Sequence, residues 1–233
     1  ADYLVDVHFL HATVRHFADT QVSFVQTPQR YREGGSEGLR LFYDMAFLIQ
    51  MASRAEWNAV CCSGTMLVLR RSCLEAVGGW DEHCIMEDLE LSLRLLGRGW
   101  RGVYDHRTYG TGLLPFDFAS LARQRFRWTF GTLQALKKQW RLLVGFPVRH
   151  QQLHLTSAQR LSFLGLGCHY LTDGLSFLSA LVLFGTAGLL AWNGTLPLVF
   201  LPITVFLPLF LFATNLLRVV WALREVSGGT SAA

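Results

Sequence analysis

Four clusters of side chains stand out for the chemistry that their types and order allow. Glu87-Asp88 sets two carboxylates side by side at a helix start, and Gln124-Arg125-Phe126-Arg127-Trp128 interleaves guanidinium groups with aromatic rings. Cys61-Cys62-Ser63-Gly64-Thr65 is a loop of small residues, and Asp2 is an acid beside the first residue. A carboxylate at a helix start can be poised to take a proton from an attacking hydroxyl. A guanidinium makes charge-assisted, forked hydrogen bonds with phosphate oxygens, and an indole offers a flat face to a sugar ring. Each cluster also has a plainer reading. First-turn acids complement the helix dipole, Asp is a common N-cap, and Trp with Arg anchors helices at lipid headgroups.

In this order along the chain, Ala1-Asp2-Tyr3, Cys61 to Thr65, Glu87-Asp88 and Gln124 to Trp128 together resemble the membrane processive branch of glycosyltransferase family 2. That branch holds the cellulose synthases and hyaluronan synthases. The phrase Gly112-Leu113-Leu114-Pro115 is most similar to bacterial membrane β-glucan synthases, and Gln26-Thr27-Pro28-Gln29 resembles the family's Gln-Thr-Pro segment. The Gln-any-any-Arg-Trp signature is complete in 124–128, whereas Met86 stands where the family has Thr before Glu-Asp. The resemblance implies a hexosyltransferase that moves a sugar with inversion, glucose from UDP-glucose, onto a growing β-glucan or similar polysaccharide. It implies Asp88 as catalytic base, Gln124, Arg125 and Arg127 on the nucleotide sugar, and Trp128, Ser63, Gly64 and Glu87 near the acceptor. It also implies Asp2 as a hard oxygen ligand for Mg²⁺ or Mn²⁺, paired with a carboxylate immediately before Ala1. Cys61 and Cys62 replace two aromatic residues of the family's loop, which reshapes the acceptor pocket. Two alternatives stand beside this reading: a non-processive transferase acting on a lipid carrier, and a catalytically silent membrane scaffold subunit.

The elements that must position these residues follow from apolar periodicity and from breakers. The spacing predicts helices over 3–17, 39–53, 71–77 and 87–96, and strands over 22–25, 66–69 and 102–104. A loop is expected over 32–38, and Gly78-Gly79 ends the third helix. Such alternation implies an α/β sheet domain. With the resemblance it becomes the carboxyl-terminal part of a Rossmann-like, nucleotide-sugar-binding domain over 1–115. A basic amphipathic helix over 118–140, within an interfacial region 116–160, is expected to lie along a membrane surface.

Composition supports a membrane segment. Of 233 residues, 51% are hydrophobic and 16% charged, against roughly 25% charged in an average soluble domain. From Leu161 to Leu217 the one formally charged side chain is Asp173. Two spans, 175–192 and 196–217, are therefore expected within 161–225, each close to the ~20 residues that cross a bilayer. Lys137, Lys138, Arg141, Arg149 and Arg160 before the pair, with Arg218 and Arg224 after it, place both flanks in the cytoplasm. The expected location is the inner (plasma) membrane, multi-pass, with a cytoplasmic catalytic part, and Asn193-Gly194-Thr195 as the outer turn.

The net charge of +4 gathers before the membrane region, so lipid headgroups account for it and no nucleic-acid partner is expected. Expected partners are a nucleotide sugar donor, a polysaccharide acceptor, the lipid bilayer and accessory subunits of a synthase complex. Five cysteines without zinc-type spacing read as reduced thiols, and His8, His11 and His16 lack a further ligand at useful spacing. The abrupt start at Ala1 sets the expectation that nucleotide-binding strands lie upstream. On that basis residues 1–233 alone should enter membranes yet transfer no sugar.

Overall fold

Short strands alternate with helices, and the computed structural model describes residues 3–146, 153–193 and 217. The order begins β1 (Tyr3–Val5), α1 (Phe9–Val14), a 3₁₀ turn (Arg15–Ala18), β2 (Val22–Gln26) and β3 (Arg30–Glu33). It continues with α2 (Glu37–Asp44), a π-helix (Met45–Gln50), α3 (Met51–Glu56), β4 (Leu67–Leu69), α4 (Arg71–Ala76) and α5 (Glu87–Gly97). Last come β5 (Arg101–Tyr104), β6 (Gly110–Leu113), α6 (Phe118–Lys138), α7 (Trp140–Val144) and α8 (Ser157–Trp192). Two compact units divide the chain, Ala1–Gly167 and Cys168–Ala233. Everything from β1 to α7 belongs to the first.

Six strands make two three-stranded sheets, ordered β1-β6-β3 and β4-β2-β5. In each sheet one pair is antiparallel (β1 with β6, β2 with β4) and one parallel (β3 with β6, β2 with β5). A Rossmann-like continuation predicts parallel neighbours, so what the described residues form is a mixed α/β domain. The chain enters antiparallel β4 through Gly64 (φ 67) and Met66 (φ 56), which both take left-handed backbone. Strand β5 pairs in parallel with β2 across the long connection, residues 27–100, that such pairing requires. Every residue of β2 is buried, and Gly102 of β5 makes room for it. A Cβ at Gly102 would stand 2.2 Å from the Phe24 ring.

Helix α5 is the centre of the unit, buried at every residue from Asp88 to Gly97. Leu89, Leu91, Leu93, Leu95 and Leu96 put apolar side chains on all its sides, and a helix apolar all round goes inside. Its buried charges are paired, as desolvation demands. Arg94 lies on Glu90 at 2.7 Å and donates to the carbonyls of Val77 (2.6 Å) and Gly79 (2.9 Å), holding the turn after α4.

Helix α6 starts at an N-cap in which Asp117 accepts from the Ser120 amide at 2.7 Å. Its buried face, Gly131, Thr132, Ala135 and Leu136, docks on the segment leading into α5. Gln134 donates to the His83 carbonyl at 3.0 Å and accepts from the Ile85 amide at 2.9 Å. Lys138 pairs with Asp81, and Gln139 donates to Glu90 at 2.6 Å. Phe126 and Phe130 stack on each other, one turn apart, and both are exposed.

Several expectations change. The helix predicted over 3–17 gives way to β1, α1 and a 3₁₀ turn, because Tyr3–Val5 pairs with β6 and the Asp6 amide donates to the Tyr109 carbonyl. The helix over 39–53 is continuous but passes through a π segment, where the Tyr104 hydroxyl donates to the Phe47 carbonyl. Strand β3 begins just before the residues read as a loop, and β6 had no apolar run to announce it. Residues 175–192 are helical within α8. Among the described residues no helix is long and apolar enough to cross a membrane, and the second expected span, except Leu217, lies outside them.

Helix α6 meets the start of α5 tightly at Gly131, where a Cβ would come 2.5 Å from Met86 Cγ and 3.1 Å from its backbone nitrogen. Gly131→Ala is expected to destabilise the protein by about 1–3 kcal/mol through overpacking, despite the ~1 kcal/mol that Ala gains in helix propensity. Denaturant unfolding of the two proteins measures it. Equal or higher stability of the Ala variant would contradict the contact.

Candidate active site

Asp88 occupies the first turn of α5 and is 9% exposed. Its Oδ1 accepts from the Leu89 amide at 2.7 Å. Burial is the main influence on its ionisation and pushes the pKa up to about 6; the Leu89 bond opposes this, and neighbouring Glu87 adds to it. A carboxylate with that pKa is ionised at neutral pH yet binds a proton far better than an exposed Asp, the property of an effective base. Glu87 itself is exposed.

The 61–65 loop is brought against this carboxylate. Gly64, in left-handed backbone, sits so near that a Cβ would stand 3.1 Å from Asp88 Oδ2. Ser92, one turn beyond Asp88, donates to the Asp88 carbonyl at 2.8 Å and accepts from the Cys62 amide at 2.7 Å. From the other side Gln26 accepts from the Ser63 amide at 2.9 Å and donates to the Thr65 carbonyl at 2.9 Å. Gln29 donates to the Ser63 carbonyl at 3.1 Å. The loop is thus fixed through its backbone, and Ser63 serves it by its peptide groups. Burial raises the Cys61 and Cys62 thiols, so both stay protonated at neutral pH, and both are free cysteines.

The signature on α6 divides between two faces. Gln124 and Arg127, together with Arg123, line a cleft of about 870 Å³ whose other wall is Leu113, Leu114 and Pro115. Arg125 points elsewhere, its guanidinium 4.1 Å from the centre of the Phe42 ring, with Tyr43 and Trp128 at 5.3 and 5.1 Å. Trp128 is held edge-on to Tyr43 with ring centres 5.6 Å apart. Arg125 is therefore an aromatic-cage cation that orients the helix, outside the cleft where Gln124 and Arg127 lie. Asp2 lies outside the described residues. Among those described, no group of three His, Cys, Asp or Glu side chains could hold a metal ion.

Local pattern marks Gln29 only within the Gln-Thr-Pro segment and does not single out Tyr43, Tyr31, Ser92 or Arg123 as members of the site. Arg123 carried a signal, one helical turn before Arg127. The others work through contacts across long stretches of chain, which no local pattern announces.

Because native Asp88 titrates near 6 against an ordinary 3.8, the native state holds a proton that the unfolded chain has lost between these pH values. Stability then falls as pH rises through that window. Asp88→Asn removes the effect while keeping the acceptor for the Leu89 amide. The Asn variant should match wild type below pH ~4 and exceed it by up to about 3 kcal/mol above pH ~6, at 1.36 kcal/mol per unit. Unfolding across pH 4 to 7 checks this, and a constant difference would contradict it.

Residues 1–223 match the family model described as glycosyl transferase family group 2. Glucomannan 4-beta-mannosyltransferase 7 of Arabidopsis thaliana is 28% identical over 66% of this chain and 28% of its own length. The cellulose synthase catalytic subunit (UDP-forming) of Komagataeibacter sucrofermentans is 27% identical over 58% of the chain and 20% of its own length. Its counterpart in Xanthomonas axonopodis pv. citri is 27% identical over 72% and 23%. The chain spans under a third of the length of these curated relatives. With a family match over nearly all its residues, the chain belongs to glycosyl transferase family group 2.

Proposed function

We propose that this chain supplies the acceptor-activating base and the diphosphate-binding helix of a processive, inverting glycosyltransferase acting at the cytoplasmic face of a membrane. The observation that carries the reading is the meeting of the 61–65 loop with Asp88, where the Gly64 backbone lies against a buried carboxylate that titrates near 6. The terminal hydroxyl of the polysaccharide lies in this loop. Asp88 takes its proton as the oxygen bonds to the anomeric carbon of the donor sugar, and the bond from that carbon to the diphosphate breaks. The nucleoside diphosphate leaves with both bonding electrons, and attack opposite the leaving group inverts the configuration. Arg127 and Gln124 receive the departing diphosphate in their cleft, where hydrogen bonds to growing charge lower the barrier.

Glucose from UDP-glucose is the favoured donor, in keeping with the cellulose synthase relatives. Mannose from a nucleoside diphosphate mannose is the second reading, favoured by the mannosyltransferase relatives and by the small Cys61 and Cys62. The membrane setting is supported by the apolar composition of 161–217 and by α6. One face of that helix docks on the domain, while Phe118 (83% exposed), Phe126 (66%) and Phe130 stay uncovered. Exposed apolar rings of this kind suit the boundary between headgroups and acyl chains, with Lys137 and Arg141 at anionic lipid. A synthase complex with accessory subunits remains part of this proposal.

In the active enzyme, kcat/KM should fall tenfold per unit below about pH 6, and Asp88→Asn should lower kcat by about 10²–10⁴ with donor binding retained. Wild-type turnover by the Asn variant would remove Asp88 from the chemistry. Arg127→Ala is expected to weaken donor binding and turnover together, and Arg127→Lys to restore part, lacking the planar fork. Supplying labelled UDP-glucose and a nucleoside diphosphate mannose separately, then digesting the product with linkage-specific β-glycosidases, identifies sugar and linkage. Failure to form a β-linked polymer from either would overturn the reading.

A further inference from the structure

An unbroken set of contacts runs from the loop against Asp88 to the signature helix without passing through either the base or the cleft. It starts at the Ser63 carbonyl, which accepts from Gln29 Nε2 at 3.1 Å. Gln29 Oε1 accepts from the Tyr31 hydroxyl at 3.1 Å. The Tyr31 ring then lies on Tyr43, centres 4.7 Å apart, and the Tyr43 hydroxyl donates to Gln124 Oε1. Tyr43 is fully buried, and the same ring meets Phe42, Trp128 and the Arg125 guanidinium. Burial raises the Tyr31 hydroxyl pKa and keeps it a donor throughout the working pH range. The chain enters a π-helix two residues beyond Tyr43, a deviation that recurs at functional sites and here follows the residue that faces α6.

Both ends of this path are polar contacts to groups already argued to handle substrate. Ser63 and Gly64 border the acceptor, and Gln124 borders the donor diphosphate. In-line transfer requires the attacking oxygen and the leaving group to be held at one spacing, and small misplacements reduce rate steeply. The hydrogen bond fixes which way the Gln124 amide is turned: with Oε1 engaged by Tyr43, its NH₂ group is left to donate, the arrangement a diphosphate oxygen needs.

We propose that Gln29, Tyr31 and Tyr43 form a strut that sets the spacing between the acceptor loop and the donor-binding helix, with Tyr43 the positioning residue for Gln124. This rests on the reading that Gln124 contacts the donor. Tyr43→Phe keeps the ring and removes the hydroxyl, so the fold is retained while Gln124 is freed to turn.

The test is a double-mutant cycle in the intact, active enzyme, with steady-state kinetics for the donor and calorimetric binding of the nucleoside diphosphate product. Tyr43→Phe is expected to raise donor KM and lower donor kcat/KM by about 3–10-fold, the scale of one hydrogen bond, with the thermal midpoint within about 3 °C of wild type. In a Gln124→Ala background the same substitution should add less than twofold, because the group it positions is gone. Equal factors in both backgrounds, or no change in either, would overturn the strut. Should Tyr43→Phe fail to fold, Tyr31→Phe cuts the path one link earlier and carries the same comparison. If Gln124→Ala by itself leaves nucleotide binding and donor kinetics unchanged, the functional reading of Gln124 fails first. If Gln124→Ala weakens both and Tyr43→Phe acts independently, only the strut fails.

Discussion

Desolvation of α5 is the constraint on which the rest of the unit depends. A helix buried at every residue from Asp88 to Gly97 must find an internal partner for each polar group it carries, since an unpartnered buried charge costs several kcal/mol. The partners are what organise the surroundings. Arg94 reaches back to the Gly78-Gly79 turn, Glu90 takes both Arg94 and Gln139 of the segment after α6, and Ser92 takes the amide of Cys62. Asp88 accepts from backbone amides, that of Leu89 at 2.7 Å, and these do not offset its burial, so its pKa is raised. The same burial that fixes the fold therefore raises the proton affinity of Asp88, the proposed base, at a cost in stability typical of working sites.

Around that helix the loops are held by backbone hydrogen bonds from side chains of distant segments. Gln26 and Gln29, on either side of Pro28, both clamp the 61–65 loop, which gives the Gln-Thr-Pro segment a structural task. Helix α6 is fastened along its second half to residues 81–90, leaving its first half to present Gln124 and Arg127 to the cleft. The cleft and the anchoring contacts thus occupy different turns of one helix. Phe126, which also borders the cleft, and Phe130 stay exposed, the feature proposed to meet the lipid surface.

Much of this was legible from local pattern. The boundaries of α4, α5, β2, β4 and β5 follow from apolar runs and glycine stops, and the complete Gln-any-any-Arg-Trp signature pointed to the family that the comparisons bear out. What local pattern missed has a common cause. Strand β6, Gly-Thr-Gly-Leu, has no apolar period and exists because β1 and β3 flank it. Tyr3 to Val5 suited a helix until cross-strand pairing claimed it. Arg125 sits inside the signature yet turns to an aromatic cage, a choice made by Phe42 and Tyr43 far away in sequence. The placement of Asp2 and of the second expected span falls outside the described residues. The antiparallel neighbours β1 with β6 and β2 with β4 depart from the parallel pairing of a Rossmann-like continuation, and no apolar period encodes strand direction.

The central claim is that Asp88 and the Gln124–Arg127 cleft belong to one reaction centre. The measurement that tests it most directly is an experimental structure of the intact enzyme bound to a non-transferable nucleoside diphosphate sugar. The account predicts the diphosphate on Arg127 and Gln124, with the sugar's anomeric carbon turned toward the space between Gly64 and Asp88. A donor bound with its anomeric carbon facing away from Asp88, or with its diphosphate away from α6, would contradict it.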